Sequence, residues 1–260
     1  MTRFGEASAR PLAEHCVLVT GGSSGIGRAI ALAAAGAGAD VALTYRVNAE
    51  GAREAEQAIT AMGRRAAVLQ FDATDDRSLR ALGPAARAAL GRIDVWVNNA
   101  GADILTGPAA SLTAPEKLDL LLDVDLRGTV LASWQAAEIL GGQETGGVII
   151  NMSWDHVLTG MAGLNPQMFA AVKGGVLAFS KSLARSVAPR VRVNIVAPGW
   201  VATSFGANLD GDTRARVAET TPLKRWGTPD DIAGAVVFLA SPAAAFMTGH
   251  TLIVGGGLVM

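Results

Sequence analysis

A loop of glycines between an apolar run and a helical run has the residue types to bind an anion. Residues 17–19 are apolar without alternation, as in a strand buried on both faces of a parallel sheet. Glycines follow where the chain must turn sharply, and helix-compatible residues begin at Arg28. Because the first turn of a helix leaves N–H groups unpaired, this order predicts a pyrophosphate site, with a ligand-free βα turn as the alternative. The predicted contacts are Gly21, Ser23, Ser24, Gly25, Ile26 and Gly27.

The end of the second predicted strand holds the residues that meet the adenosine ribose in a dinucleotide-binding fold. An acidic residue there would bind both ribose hydroxyls and repel a 2′-phosphate, but this sequence has Tyr45 and then Arg46. A guanidinium binds a phosphate through two parallel hydrogen bonds. We therefore predict cofactor contacts from Tyr45 and Arg46 and a preference for NADP(H) over NAD(H). The alternative for Arg46 is a solvated surface charge.

The composition excludes several classes of protein. The 260 residues, 50% of them hydrophobic, are enough for one large α/β domain. A formal net charge of −1 without a long basic cluster argues against a nucleic-acid or anionic membrane surface, and no apolar stretch is long enough to span a bilayer. The single cysteine, Cys16, excludes an intrachain disulfide, and we expect it in the core. Residues 1–13 lack the apolar segment of a secretory signal, which predicts a cytoplasmic protein, and no metal site is recognised.

Strands and helices are predicted to alternate along the whole chain. Apolar runs predict further strands at 40–46, 66–71, 93–97, 147–153, 191–196 and 251–254. Helical patterns occupy residues 49–62, 115–140, 229–240 and a long segment from 166. We therefore expect one α/β domain at 14–260, a Rossmann-type doubly wound sheet of about seven parallel strands with helices on both faces, after a tail at 1–13. The polar, glycine-bearing segment 204–226 is expected to form a mobile substrate lid.

Four motifs occur in the order of one known family. The glycine loop has the spacing Thr-Gly-x-x-x-Gly-x-Gly, residues 98–101 read Asn-Asn-Ala-Gly, Lys173 lies on the long helix, and Pro198-Gly199 precedes Thr203. Over nearly its whole length the chain resembles the short-chain dehydrogenase/reductase family. The resemblance implies hydride transfer between a nicotinamide cofactor and a small-molecule substrate. It also implies a homo-oligomer, a tetramer or dimer, in which helix 115–140 meets a partner subunit.

The resemblance implies further contacts with the cofactor. Asp72 matches the acidic position beside the adenine amino group, although it could instead cap the helix that begins near Asp75. Asn98 is expected to brace the central strands, and Thr203 to hold the carboxamide or a phosphate. The contacts implied in this way are Asp72, Ala73, Asn99, Ala100, Gly101, Lys173, Pro198, Gly199, Val201 and Thr203.

The sequence departs from the family at the catalytic centre. In the family, a Tyr four residues before a Lys passes a proton to the substrate oxygen, the Lys lowers the Tyr pKa and holds the ribose, and a Ser and an Asn complete the site. Here the lysine is Lys173, the position four before it is Phe169, and the only tyrosine of the chain is Tyr45. The Asn position falls on Asp125, and the Ser position on Trp154 or Ser153. The chain is therefore identified as an atypical member that lacks the active-site tyrosine.

Two titratable residues in the expected catalytic loop can replace the missing acid. Asp155 and His156 follow Trp154 directly. A histidine with an ordinary pKa of about 6.5 can give and take protons, and Asp155 or Asp125 would orient it. The alternative is that His156 is a surface-loop histidine. The predicted catalytic residues are Lys173, His156, Ser153, Asp125 and Asp155.

Three functions fit these residues. The first is an NADP(H)-dependent oxidoreductase with an atypical active site, acting on a small hydrophobic carbonyl, alcohol or imine; an iminium needs less proton delivery. The second is a non-redox enzyme derived from the family, performing a cyclisation, elimination or aldol-type reaction. The third is a non-catalytic nucleotide-binding protein. An apolar pocket is predicted from large side chains that could equally be core: Trp154, Met161, Met168, Trp200 and Phe205.

Overall fold

A sheet of seven parallel strands lies at the centre of the computed structural model, which describes residues 10–203 and 211–260. The strands are β1 (Cys16–Val19), β2 (Asp40–Tyr45), β3 (Ala66–Gln70), β4 (Val95–Asn98), β5 (Gly147–Met152), β6 (Val191–Pro198) and β7 (Thr251–Val254). Their order across the sheet is β3–β2–β1–β4–β5–β6–β7, and every neighbouring pair runs parallel. The predicted Rossmann-type doubly wound sheet is thus confirmed.

Helices cover both faces of this sheet. They are α1 (Gly25–Gly36), α2 (Ala49–Ala61), α3 (Asp76–Leu90), α4 (Ala114–Leu121), α5 (Gly128–Gly141), α6 (Leu164–Val187), α7 (Gly211–Thr220) and α8 (Pro229–Ala240). In β1, Val17 and Val19 pack in the apolar layer shared with α1 and α8, whereas Leu18 packs in the opposite layer with α3 and α5. Burying such a side chain contributes about 2 kcal/mol. A strand without polar alternation is stable here because it lies between two helical layers.

The crevice that holds the site follows from the strand order. β1 pairs with β2 on one side and with β4 on the other, so successive connections diverge at this point. In open parallel sheets the carboxyl ends of the two diverging strands leave a crevice between their loops. The glycine loop follows β1 and residues 99–101 follow β4, so the two predicted cofactor segments meet there.

A buried chain of hydrogen bonds joins the central strands. Asn98, 4% exposed, donates through Nδ2 to the Ser133 hydroxyl and to Oδ1 of Asn151, both at 2.9 Å. The Trp96 indole N–H donates to Oδ1 of Asn98 at 2.8 Å, and Asn151 donates to Ser180 at 2.8 Å. Every amide here has partners, as a buried polar network requires. The expected bracing by Asn98 is therefore observed.

The helix predicted at 115–140 differs from the observed structure. It is two α-helices, α4 and α5, joined by the π-helical turn Leu122–Arg127. One wider turn barely changes the spacing of apolar residues, so periodicity could not reveal it. The long helix α6 also begins at Leu164, two residues before the predicted start.

The ends of the predicted domain also differ in detail. Leu12, expected in the tail at 1–13, is 1% exposed, and its backbone N–H donates to the carbonyl of Ala37 at 2.9 Å. Of the predicted lid, residues 204–210, including Phe205, lie outside the described residues, and α7 forms most of the remainder. Among the helices that the structure describes, none has both the length and the apolar character to cross a membrane.

Candidate functional site

The glycine loop has a backbone conformation that favours glycine. Gly21 and Gly25 have φ of +68° and +52°, in the left-handed region. A Cβ on Gly27 would overlap the carbonyl oxygen of Gly21, so the start of α1 packs directly on the loop. The side chain at the helix N-cap, Ser24, makes no capping hydrogen bond. The amides of the first turn are thereby left for a ligand, as a phosphate site requires.

A cleft of about 590 Å³ opens at this loop. This volume is within the usual range for a small-molecule site. Thirteen of the predicted cofactor residues line it: Gly21, Ser23, Ser24, Gly25, Ile26, Gly27, Arg46, Asp72, Ala73, Asn99, Ala100, Gly101 and Thr203. The residues present therefore fit a dinucleotide, since a glycine cradle with open amides and an exposed arginine face the same space.

Five predicted cofactor residues do not line this cleft. Tyr45 ends β2 and packs, partly buried, against the apolar layer under α1, because alternation along the strand turns it away from the neighbouring Arg46. Val201 is 7% exposed and forms an isolated bridge with Gly227. The residues outside the cleft lining are Tyr45, Lys173, Pro198, Gly199 and Val201.

Several cleft residues were not predicted from the sequence. Asn48 caps α2 by accepting from Gly51 N–H at 3.0 Å, and its amide reaches the carbonyl of Ser23 at 3.4 Å. Its position at a helix N-cap was a readable signal. The others lie in strands, loops and helices and had no motif of their own: Thr44, Val47, Phe71, Ala102, Asp103, Thr106, Gly107, Pro108, Ala109, Leu120 and Val124.

The two alternatives for Asp72 are separated by the start of α3. Asp75 is the N-cap, and its carboxylate accepts from the amides of Arg77 and Ser78 at 3.0 and 3.2 Å. Asp72 instead accepts from the amide and hydroxyl of Thr74 at 2.9 and 2.8 Å and lines the cleft. The capping alternative for Asp72 is therefore wrong.

An ion pair lies against the inner wall of the cleft. The Lys173 ammonium contacts Oδ1 of Asp125 at 2.7 Å, with side chains 12% and 2% exposed. Oδ2 of Asp125 accepts the Ala102 amide at 2.7 Å, and Ala102 lines the cleft. The π-helical turn carries Asp125 to this position. Both carboxylate oxygens are thus bonded, and the lysine charge is balanced, which a buried ion pair needs to be stable.

The Ser153 hydroxyl is hydrogen-bonded to the long helix and does not point into open space. Its hydroxyl donates to the backbone carbonyl of Lys173 at 2.9 Å, and Lys173 Nζ lies 3.4 Å from the carbonyl of Met152. β5 and α6 are therefore linked at the point where the lysine leaves the helix. One helical turn earlier, Phe169 packs with Val172 and contacts Trp154, the ring centroids lying 6.2 Å apart.

Asp155 and His156 form a second buried pair. Asp155 is fully buried, and His156 Nδ1 is hydrogen-bonded to its Oδ1 at 2.6 Å. Burial raises the pKa of Asp155, and the hydrogen bond from His156 opposes that rise. The imidazole stacks on Trp154 with centroids 5.0 Å apart and planes at 18°. His156 is only 9% exposed, so the alternative of an exposed loop histidine is wrong.

The other oxygen of Asp155 lies between two glycines. A Cβ on Gly199 or Gly255 would stand 2.7 or 2.6 Å from Oδ2, closer than real atoms approach. Oδ2 has no hydrogen-bond partner among residues 10–203 and 211–260. The same residues contain no cluster of three or more His, Cys, Asp or Glu side chains able to hold a metal ion.

Comparison with known proteins agrees with this architecture. Residues 21–259 match the family described as Enoyl-(Acyl carrier protein) reductase. The chain is 36% identical over 247 residues to 3beta-hydroxysteroid dehydrogenase 1 of Eggerthella lenta, covering 94% of this chain and 93% of that protein. It is 36% identical over 254 residues to 3-oxoacyl-[acyl-carrier-protein] reductase of Synechocystis, covering 96% and 98%.

The three-dimensional likeness is equally extensive. The crystal structure of a short chain dehydrogenase from Burkholderia cenocepacia in complex with NADP gives a TM-score of 0.85 at 34% identity, covering 95% of this chain and 99% of that one. The sheet order, the glycine loop and the lysine on the long helix are thus found in a chain whose sequence resembles these proteins over nearly its whole length. The chain belongs to the short-chain dehydrogenase/reductase family of oxidoreductases.

Proposed function

We propose that the protein is an NADP(H)-dependent oxidoreductase that acts on a small, hydrophobic carbonyl, alcohol or imine without an active-site tyrosine. The observation that carries the proposal is the direct link between the cleft and a buried lysine. Asp125 accepts from Ala102, a cleft residue, and pairs with Lys173. The similar proteins named above are dehydrogenases and reductases, which favours redox chemistry over the non-redox and non-catalytic alternatives.

The residues divide into a binding group and a proton-handling group. A nicotinamide dinucleotide, when bound, supplies the two-electron chemistry by accepting or donating a hydride. Lys173 would hold its ribose, and the contact with Asp125 at 2.7 Å fixes the position of the ammonium group. Ser153 anchors the helix that presents the lysine. His156, supported by Asp155, would give a proton to the substrate in reduction and take one in oxidation, because Phe169 cannot.

A hydrophobic substrate is supported by the side chains around the pair. Trp154 stacks on His156 and contacts Phe169, and large apolar side chains of the segment that follows His156 are exposed. Leu158, Met161 and Leu164 are 50%, 37% and 59% exposed. Exposed apolar groups clustered at a site commonly mark a ligand surface. Two of the similar proteins are named for a 3beta-hydroxysteroid and for a 3-oxoacyl-[acyl-carrier-protein].

The preference for NADP(H) rests on Arg46. Arg46 follows β2, is exposed and lines the cleft. We expect Arg46→Ala to weaken NADPH binding at least tenfold, about 1.4 kcal/mol, and to leave NADH binding within twofold. Arg53→Ala is the matched control, because Arg53 is exposed on α2 and does not line the cleft. Calorimetric titration with both nucleotides measures this, and equal losses for both would contradict the preference.

Turnover tests the proposed reaction. Purified protein is mixed with NADPH and a panel of apolar ketones and cyclic imines, and the nicotinamide absorbance is followed. We expect consumption of NADPH, slowed about 10²- to 10⁴-fold by His156→Gln with NADPH affinity unchanged. His15→Gln is the control, since His15 directly precedes the amino end of β1, and the cleft lies at the carboxyl ends of the strands. No NADPH binding, or no consumption with any substrate in either direction, would refute the proposal.

A further inference from the structure

The carboxyl group of Asp155 is buried in an unusual way. The residue is 0% exposed, and only one of its oxygens is hydrogen-bonded, to His156 Nδ1 at 2.6 Å. Within the described residues Oδ2 has no partner. Buried polar atoms are nearly always hydrogen-bonded, and leaving one unpaired costs about 1–3 kcal/mol. A carboxyl kept at that cost needs a physical reason.

The space around Oδ2 exists because two residues have no side chain. A Cβ on Gly255 would lie 2.6 Å from Oδ2, and one on Gly199 would lie 2.7 Å from it. Neither glycine has a positive φ, so the backbone alone does not demand glycine at either position. The two Cα–H groups face the oxygen and give it only weak contacts. We call Gly199 and Gly255 the glycine slot. At Gly255 the carboxyl is the close neighbour that excludes a side chain, and at Gly199 a Cβ would also stand 2.8 Å from the Cα of Gly255.

The sequence leaves Asp155 without a competing carboxylate at this point. Residues 255–257 read Gly-Gly-Gly, so no acidic residue follows β7 directly. An aspartate at 255 would place its Cβ against Oδ2 of Asp155. The two acidic residues thus exclude each other, and this chain has the one that contacts a histidine.

The hydrogen bond and the stacking together fix the imidazole. When Asp155 is ionised it can only accept, so Nδ1 of His156 then carries the proton and Nε2 is the free ring nitrogen. Trp154 stacks on the ring at 5.0 Å, which restricts rotation out of the plane. Nε2 has no hydrogen-bond partner in the part of the chain that the structure describes, and the side chain is 11% exposed.

We propose that the glycine slot seats the carboxylate of Asp155, and that Asp155 thereby acts as a positioning residue that holds His156 in the Nδ1–H form with Nε2 presented to the substrate. The inference rests on the proposed function, since the substrate is the partner of Nε2. In oxidation of an alcohol, the Nε2 lone pair takes the hydroxyl proton; in reduction, Nε2–H of the imidazolium returns it. Asp155 accepts the Nδ1–H hydrogen bond in both directions and supplies no proton.

Nitrogen NMR of the imidazoles reads the tautomer without any turnover. The chain has three histidines, so His156 is assigned from the signals lost in His156→Gln. For the neutral His156 ring of the wild type we expect the proton on Nδ1. Asp155→Asn and Gly255→Ala should shift the ring toward the Nε2–H form, since each removes or displaces the acceptor. Gly234→Ala is the control, because no atom lies within 4 Å of a Cβ there.

Measurements of stability and kinetics distinguish an effect of Gly255→Ala through Asp155 from a general loss of packing. Gly255→Ala should lower the free energy of unfolding, and much less so in an Asp155→Ala background, because the added methyl then meets no carboxyl. In the same variants kcat should fall about 100-fold with NADPH affinity within twofold. The double-variant result holds even where Gly255→Ala alone folds poorly.

Each outcome decides one proposition. An unchanged His156 tautomer in both Asp155→Asn and Gly255→Ala overturns the inference, as does an equal cost of Gly255→Ala in both backgrounds. A shifted tautomer in a protein that consumes no NADPH leaves the slot established and refutes the proposed function instead.

Discussion

Phe169 stands one helical turn before Lys173, on the same face of α6. Phe169→Tyr places a hydroxyl where the family resemblance expects one, beside a charged lysine that lowers its pKa. We expect ketone reduction with NADPH to rise at least tenfold, since a positioned acid contributes about 10²- to 10⁴-fold. Absorbance of NADPH measures the rate, and Phe169→Leu controls for the loss of the phenyl ring. An unchanged rate in Phe169→Tyr would show that this position does not face the reacting group.

The buried carboxyl of Asp155 makes stability depend on pH in a defined direction. Burial raises its pKa above the ordinary 3.8, so the folded protein binds this proton more tightly than the unfolded chain. The stability it contributes is complete below the unfolded value and is lost as pH rises through the raised one. Relative to Asp155→Asn, the wild type should therefore lose free energy of unfolding as pH rises from the ordinary value of 3.8 through the raised pKa. Chemical denaturation at each pH measures the difference.

Asp231 is a comparison in which stability should change with pH in the opposite direction. Hydrogen bonds from Arg225 and the Thr228 amide hold its pKa well below the ordinary 3.8. Its contribution is present above that value and is lost as pH falls. The difference between wild type and Asp231→Asn should therefore shrink in acid. A difference for Asp155→Asn that grows with pH would mean that hydrogen bonding outweighs burial there.

At the scale of elements, the start of α1 is bound to the glycine loop. Gly27→Ala should weaken NADPH binding at least tenfold, about 1.4 kcal/mol, because its methyl would displace the Gly21 carbonyl and open the cradle. Gly36→Ala lies on the same helix with no atom near its Cβ and should gain up to about 1 kcal/mol of stability. Calorimetry and thermal unfolding measure the two effects. Equal binding in both variants would show that the loop is not the phosphate site.

Most strands and helices could be predicted from the sequence, but the π-helical turn between α4 and α5 could not. Strands such as β1 and β5 are short apolar runs bounded by glycine or polar residues, and sheet burial matches that pattern. The π-helical turn that carries Asp125 has no such pattern, since the hydrogen bonds to Ala102 and Lys173 that accompany it come from distant segments. Periodicity reports which face is apolar, not how many residues one turn contains.

At the scale of the whole molecule, one aromatic surface stays partly exposed among residues 10–203 and 211–260. Trp134 on α5 is 55% exposed and meets Phe179 of α6 edge-to-face, the centroids 6.2 Å apart. We propose that a second copy of the chain covers this surface, as the family resemblance implies for a homo-oligomer. Trp134→Glu should lower the assembly mass in analytical ultracentrifugation, since a charge would be buried there. Lys181→Glu, a charge change at an exposed position of α6, is the control.

The mass of the unaltered protein decides the premise. A wild type that sediments as a monomer at all concentrations would contradict the oligomer, and a Trp134→Glu variant with the wild-type mass would place the interface elsewhere. Retained NADPH binding in Trp134→Glu would confirm that the fold survives the substitution.

The sequence by itself determined the sheet, the glycine loop, the arginine after β2 and the absence of a tyrosine before Lys173, because these depend on residue type and local spacing. Only the tertiary structure decided which groups each buried carboxylate contacts. Asp125 and Lys173 are brought together across two helices, and Asp155 is seated by glycines from β6 and β7 loops. Such contacts join residues far apart in the chain, so they are set by how the layers pack and leave no periodic trace in the sequence.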